Sequence, residues 1–175
     1  MPAVRADEAA AWQALSEGGH VALLRHAAAP GGAGDPPGFR LEDCTTQRNL
    51  SAEGRADATA IGARLKERKV VFEKILTSPW CRCVDTAALL DMGPATADAA
   101  FSNIVVLSDQ REQIVEAGRN LIGNWRGDGN LLVVTHGANI SALIGISPSS
   151  GEMVVARIGT DGAILPVGRI PPPAS

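Results

Sequence analysis

An α/β fold, in which helices pack on the faces of a sheet, is what this 175-residue sequence predicts. Three observations carry that reading. Short apolar runs alternate with segments whose apolar residues recur at helical spacing. Two of the runs, His20-Val-Ala-Leu-Leu-Arg25 and Leu131 to Thr135, are apolar almost throughout, as strands buried on both faces are. The joints between segments are rich in glycine and proline, which punctuate regular structure rather than continue it.

The elements follow in order. A short amphipathic helix is expected around Asp7 to Ser16, and the run from His20 to Arg25, bounded by Gly18-Gly19, is a central strand. Ala29 to Gly38 is dense in glycine and proline and must be loop. Ser51 then caps a helix through about Arg68, with Ile61 and Leu65 on one face, and Val70 to Thr77 gives a second strand. Ser78-Pro79 begins the next helix, because a proline at the first helical position follows a serine cap; Gly93-Pro94 ends it beyond Leu90. Ile104 to Leu107 read as a third strand within the segment Ala95 to Gln110. Ile114, Ala117, Leu121, Ile122 and Trp125 then mark a helix that Gly127 to Gly129 breaks. After the apolar strand at Leu131 to Thr135 come a short helix from Asn139 to Ile146 and a hairpin. Its strands, Val154 to Ile158 and Ala163 to Val167, frame an Asp161-Gly162 turn. With no repeat and no linker, residues 1–175 read as one domain, with 170–175 as a frayed, proline-rich end.

Composition excludes several classes of function. The chain has 20% charged residues, a formal charge of −3, three Phe, three Trp and no Tyr, which argues against a basic, aromatic platform for nucleic acid. No apolar run approaches the roughly 18 residues needed to cross a bilayer. As it stands the chain reads as soluble and cytoplasmic, and as periplasmic had a signal peptide been removed. Cys44, Cys81 and Cys83 cannot all pair within one chain, and no second Cys/His pair completes a zinc site. Buried or free thiols are the plainer reading; a bridge from Cys44 to one of the others would imply an oxidising compartment.

Chemistry gathers behind the strands. His26 and His136 stand directly after the two most apolar strands, where open α/β sheets bind ligands. Arg25 adjoins His26, and Ser78 and Arg82 follow another strand. Arginine forks and the N–H groups of a helix N-terminus suit phosphate oxygens, so the converging groups predict a phosphate pocket. A neutral imidazole among such donors can attack phosphorus while the cations offset the charge of the transition state. His20 matches no such pattern and reads as a surface residue. Trp12, Trp80 and Trp125 read as packing, with Trp80 close enough to the pocket to line its mouth.

Leu24-Arg25-His26-Ala27, Asn49-Leu50-Ser51-Ala52-Glu53-Gly54, Ser78 to Ala87 and Val133-Val134-Thr135-His136-Gly137 occur in that order. The set resembles the histidine phosphatase superfamily, also called phosphoglycerate-mutase-like, over about Val21 to Ile146. The resemblance implies a three-layer α/β/α sandwich with a mostly parallel central sheet, a covalent phosphohistidine intermediate, and neither metal nor organic cofactor. It implies His26 as nucleophile, Arg25 and Arg82 as phosphate clamps, and His136 as a second histidine on the phosphoryl group. Ser78 sits where the family often has a serine at the helix start, with a pure N-cap as the equal alternative. Arg48 reads as solvated or structural rather than as a pocket residue.

Two departures from the family pattern stand out. Ala27 replaces the usual glycine, and Gly137 stands where one branch of the superfamily has the acid that protonates the leaving oxygen, although Asn139 fits that branch's pattern. In the other branch the acid lies after the third strand, where Asp109 and Glu112 fall here. Asp109 ranks first as the acid and Asp35 second, with Asp43 a further candidate. A leaving group as good as that of phosphohistidine needs no protein acid. The expected activity is metal-independent hydrolysis of a phosphomonoester or a protein phosphohistidine, so the partner is a phosphorylated small molecule or phosphoprotein. The alternatives are a mutase and a non-catalytic phosphate-binding regulatory domain.

Overall fold

The computed structural model describes residues 2–174. Its elements are α1 (Pro2–Glu17), β1 (Val21–Arg25), α2 (Ala52–Glu67), β2 (Phe72–Thr77), α3 (Cys81–Leu90), β3 (Thr96–Ala97), α4 (Arg111–Gly123), β4 (Asn130–Thr135), α5 (Gly137–Ile144), β5 (Met153–Ile158) and β6 (Ile164–Ile170). They build one six-stranded sheet in the order β3-β2-β4-β1-β5-β6. Strands β3, β2, β4 and β1 run parallel, while β5 and β6 add an antiparallel hairpin. Helices cover both faces, which is the expected three-layer sandwich.

Side-chain alternation along the central strands separates the two cores. Ala22, Leu24, Leu132 and Val134 face α1, α2 and α3, where Leu15, Leu65 and Leu90 pack on them. Val21, Leu23, Leu131 and Val133 face the other way, against Phe101, Ile122 and Ile140. The helix after β1 therefore lies on one face and the helix after β4 on the other, although the two strands are neighbours. A crevice opens where such connections diverge, at the carboxyl ends of the strands. Backbone bonds pin the ends of β1 and β4 together there, with His26 N–H donating to the Thr135 carbonyl at 3.0 Å.

Three expectations are corrected. Residues 104–107 form a turn, and the edge strand is the shorter β3, paired with Leu76 and Thr77 of β2. The cause is the Asn103 side chain, whose Oδ1 accepts the N–H groups of Val105 (2.8 Å) and Val106 (3.2 Å) and so takes the donors a strand would use. Helix α3 starts at Cys81, past Ser78-Pro79, with Trp80 in extended conformation at its N-cap. The Cys81 N–H is met by Gln47 Oε1 at 3.0 Å. Ile170 belongs to β6 and is buried, and the Pro171 carbonyl accepts from Arg64 at 3.0 Å, so the regular structure continues past the expected fraying point.

Candidate active site

The Leu-Ser-x-x-Gly segment explains how the loop behind β1 is held. Ser51 Oγ accepts the Gly54 N–H at 3.0 Å and caps α2. A Cβ on Gly54 would fall inside the Ala28 carbonyl, so glycine there lets α2 press against the residues directly after His26. Ala27 is fixed from the other side, its N–H donating to Thr86 Oγ1 of α3 at 3.2 Å. The methyl of Ala27, where the family usually has glycine, is fully buried in this packing.

A cavity of about 330 Å³ opens at the carboxyl ends of the strands, and Arg25, His26, Arg82 and His136 all line it, together with Arg48 and Asn103. His26 is buried, and its Nδ1 lies 2.8 Å from the Ala27 carbonyl. A carbonyl can only accept, so Nδ1 carries the hydrogen and Nε2 keeps its lone pair. Burial pushes the His26 pKa down to about 3; the Ala27 hydrogen bond opposes this, and the charges of Arg82, Arg25 and Arg48 reinforce it. The ring is therefore neutral near pH 7.

His136 faces His26 edge-on, with ring centroids 5.5 Å apart. Burial, then the neighbouring His26 and arginines, hold its pKa well below the ordinary histidine value. Its Nε2 lies 2.8 Å from Ser78 Oγ and its Nδ1 3.4 Å from Asn103 Nδ2. The two backbone donors on Asn103 Oδ1 fix the amide so that its NH₂ faces the ring. Nδ1 of His136 is then the acceptor, and Nε2–H donates to Ser78. The segment carrying Asn103 is stitched to the β4–α5 corner by two buried bonds: Thr135 Oγ1 donates to the Phe101 carbonyl (2.9 Å) and Asn139 Nδ2 to the Ser102 carbonyl (2.8 Å).

The arginines are presented in a common way. Arg25 Nη1 donates to the Pro148 carbonyl at 2.8 Å, and Arg82 Nη1 and Nη2 reach Asp35 at 2.8 and 3.3 Å. In both, Nε is a buried donor without a partner among the described residues. Arg48 is half-buried rather than solvated, its Nε donating to the Gly34 carbonyl at 3.0 Å and its Nη1 to the Ala29 carbonyl. Three cations thus meet in one cavity of a protein whose formal charge is −3.

None of the carboxylates considered as the acid lines this cavity. Asp109 is exposed in the 3-10 turn Ser108–Gln110, and Glu112 is exposed in the first turn of α4. Asp43 caps the turn Cys44–Thr46 and pairs with Arg40 on the surface. Asp35 is close by but its side chain is fully buried, and its two oxygens already accept four N–H donors. Burial alone would raise its pKa; the bonds from Arg82 and the Arg48 backbone, with help from Trp80, outweigh that and lower it. Gly137, at the remaining acid position, lies against Arg25. A Cβ there would sit 3.2 Å from Arg25 Cδ and Nε, so a side chain would crowd the guanidinium.

Other sequence readings meet mixed outcomes. Ser78 does not cap α3; it holds His136. Cys44 and Cys81 form a disulfide, Cα atoms 5.8 Å apart, which overturns the reading of three thiols, while Cys83 is free and buried beside His136. Trp80 is buried against His136 (centroids 5.8 Å) and Phe39, behind the cavity rather than at its mouth. Trp12 is buried under the guanidinium of Arg68, and Trp125 packs on the second core, as expected. His20 is half-buried, bonded to Gly18 and remote from the cavity. Sequence reasoning missed Asn103; its signal was the polar Ser102-Asn103 pair directly before an apolar run, an Asx-turn pattern.

Fold and cavity together define a class, a three-layer α/β protein with an arginine- and histidine-lined anion pocket at the switch point of its sheet. Residues 21–104, just under half of the chain, match the family model of the histidine phosphatase superfamily (branch 1), which supports the resemblance read from the motifs. Among curated proteins, none matches the sequence. Similar solved structures include the protein histidine phosphatase SixA complexed with tungstate, at 18% identity and TM-score 0.61, covering 87% of this chain and 96% of that one. The putative phosphohistidine phosphatase SixA from Agrobacterium tumefaciens is 21% identical, with TM-score 0.62 and coverage of 88% and 98%. Mycobacterial glucosyl-3-phosphoglycerate phosphatase is 16% identical, with TM-score 0.57 and coverage of 86% and 95%. At these identities the likeness is one of fold.

Proposed function

We propose that the chain hydrolyses a phosphoryl substrate whose leaving group departs without a protein acid, through a phosphohistidine formed on His26. The observation that carries the reading is the unprotonated Nε2 of His26, set in one cavity with two arginines whose Nε donors lack partners among the described residues. In the first step Nε2 forms a bond to phosphorus as the bond to the leaving group breaks. Arg25 and Arg82 bind the phosphoryl oxygens and offset the charge that builds on them, and His136 joins them by redirecting its Nε2–H from Ser78 Oγ to a phosphoryl oxygen. In the second step water attacks phosphorus, the N–P bond breaks, and the electron pair returns to His26, releasing orthophosphate.

Leaving-group chemistry supports a substrate class. With no carboxylate among the residues lining the cavity, a poor alkoxide leaving group would have no proton donor beyond solvent. A protein phosphohistidine, whose leaving imidazole takes its proton readily from water, fits such a site, as does a phosphomonoester of an acidic alcohol. Only residues 91–110 separate α3 from α4, too few for a deep lid, which supports hydrolysis over mutase retention of the intermediate. The Cys44–Cys81 bridge supports an oxidising compartment.

The test is a series of aryl phosphates alongside a phosphohistidine peptide. The expected result is a steep fall of kcat/KM as leaving-group pKa rises, with the phosphohistidine peptide turned over efficiently. A flat dependence would mean that an acid acts in the site and would overturn the substrate assignment.

A further inference from the structure

We propose that Asp35 is a positioning residue for Arg82, a tether that turns this buried arginine into a phosphate donor, rather than a proton donor in the reaction. The inference rests on the phosphatase reading above. Its physical basis is the way the two side chains are packed. Both are fully buried, and the carboxylate engages the far end of the guanidinium, Oδ1 to Nη1 at 2.8 Å and Oδ2 to Nη2 at 3.3 Å. Nη1 also donates to the Arg48 carbonyl at 3.2 Å. What remains of Arg82 for a ligand is Nε–H, buried and without a partner among the described residues, and the second N–H of Nη2, in a residue that lines the cavity.

The loop is built to deliver this carboxylate. Asp35 lies between Gly34, whose φ of +86° suits only glycine well, and Pro36-Pro37, which restrict the residue before them to extended conformation. Once in place the carboxylate is held by two further donors, the Arg48 N–H at 3.1 Å and Trp80 Nε1–H at 2.9 Å. One carboxylate therefore joins the loop after β1, the indole behind His136 and the arginine of α3. A group with four donors on its oxygens has no proton to give, and its removal leaves a buried guanidinium free to turn.

The experiment compares wild type, Asp35→Asn, Arg82→Gln and the double variant by orthophosphate inhibition and by kcat/KM on p-nitrophenyl and phenyl phosphate. Asp35→Asn is expected to raise the inhibition constant of orthophosphate at least about tenfold and to lower kcat/KM by one common factor on both esters. In the Arg82→Gln background the same change is expected to leave orthophosphate affinity unaltered, because the tether has nothing left to hold. Unchanged orthophosphate affinity in Asp35→Asn would overturn the proposal. So would a loss that grows with leaving-group pKa, the mark of an acid, or an equal penalty with and without Arg82. Should Asp35→Asn not fold alone, Arg82→Gln is compared with the double variant, in which both buried charges are gone. Equal orthophosphate-induced rises in Tm support the tether, and a smaller rise in the double variant overturns it. A wild-type chain that neither binds orthophosphate nor cleaves aryl phosphates would fail the phosphatase reading itself, separately from the role of Asp35.

Discussion

His26 and His136 are held as neutral bases in a place where bases usually acquire protons. Burial keeps both from protonating, and surrounding arginines add to it, so Nε2 of His26 keeps its lone pair without first losing a proton, while His136 keeps a single N–H, on Nε2. The same burial ties stability to pH. An unfolded histidine titrates near 6.5 and folded His26 at about 3, so between those values the unfolded chain binds a proton that the folded chain does not. Stability is then complete above about pH 6.5 and falls as pH drops, by about 1.4 kcal/mol per pH unit for each such histidine. Asp35 adds to this only at more acid pH, since its contribution is full above its ordinary carboxylate value and lost below it. Urea midpoints for wild type and His26→Asn from pH 8 to 5 are expected to fall below pH 6.5, with a shallower slope in the variant. Equal slopes would mean that His26 takes up its proton in the folded state. At this scale the four central residues were legible from sequence because His26 and His136 directly follow β1 and β4, Arg25 closes β1, and Arg82 lies in the first turn of the helix after β2. The acid was not: whether Asp35 faces a substrate or Arg82 depends on how a loop closes, and the gap at Gly137 makes sense only once Arg25 is seen against it.

Among the elements, strands and helices with a strong period were readable nearly to their ends, and the errors at Ile104 to Leu107 and at the start of α3 share one physical cause. Asn103 draws two backbone N–H groups from Val105 and Val106, and Gln47 meets the Cys81 N–H from far along the chain. Such side-chain bonds override local preference, turning an apolar run into a turn and starting α3 beyond Ser78-Pro79. The disulfide is a further long-range tie. It joins the loop after β1 to the residue before Arg82, across a sequence separation of 37. Closing a loop of that length in the unfolded chain contributes about 4 kcal/mol. Reduction is therefore expected to lower Tm markedly, and thiol titration of the denatured, unreduced chain to find one reactive cysteine, Cys83. Three reactive thiols without reductant would contradict the bridge.

On the scale of the molecule, the sheet order sets where chemistry is done. Connections after β1 and β4 leave to opposite faces, the crevice between them receives Arg25, His26 and His136, and β2 with α3 brings Arg82 to the same place. The acidic chain keeps its surface charge negative overall while gathering three arginines in this one cavity. The layer order followed from alternating apolar periods, and the three-layer form with the motifs' meeting point from the family resemblance. The rim, built by residues 29–38 and 95–110, was not legible, because its course depends on glycine turns and side-chain caps rather than on apolar period. The account's central claim is that phosphorus passes through His26. The most direct measurement is a rapid acid quench of the wild-type chain and of His26→Ala with p-nitrophenyl phosphate, followed by mapping of acid-labile phosphate. The account expects a burst of nitrophenol matched by labelled His26 in wild type, and neither label nor turnover in the variant. Full turnover by His26→Ala, or turnover in wild type with no phosphohistidine formed, would contradict it.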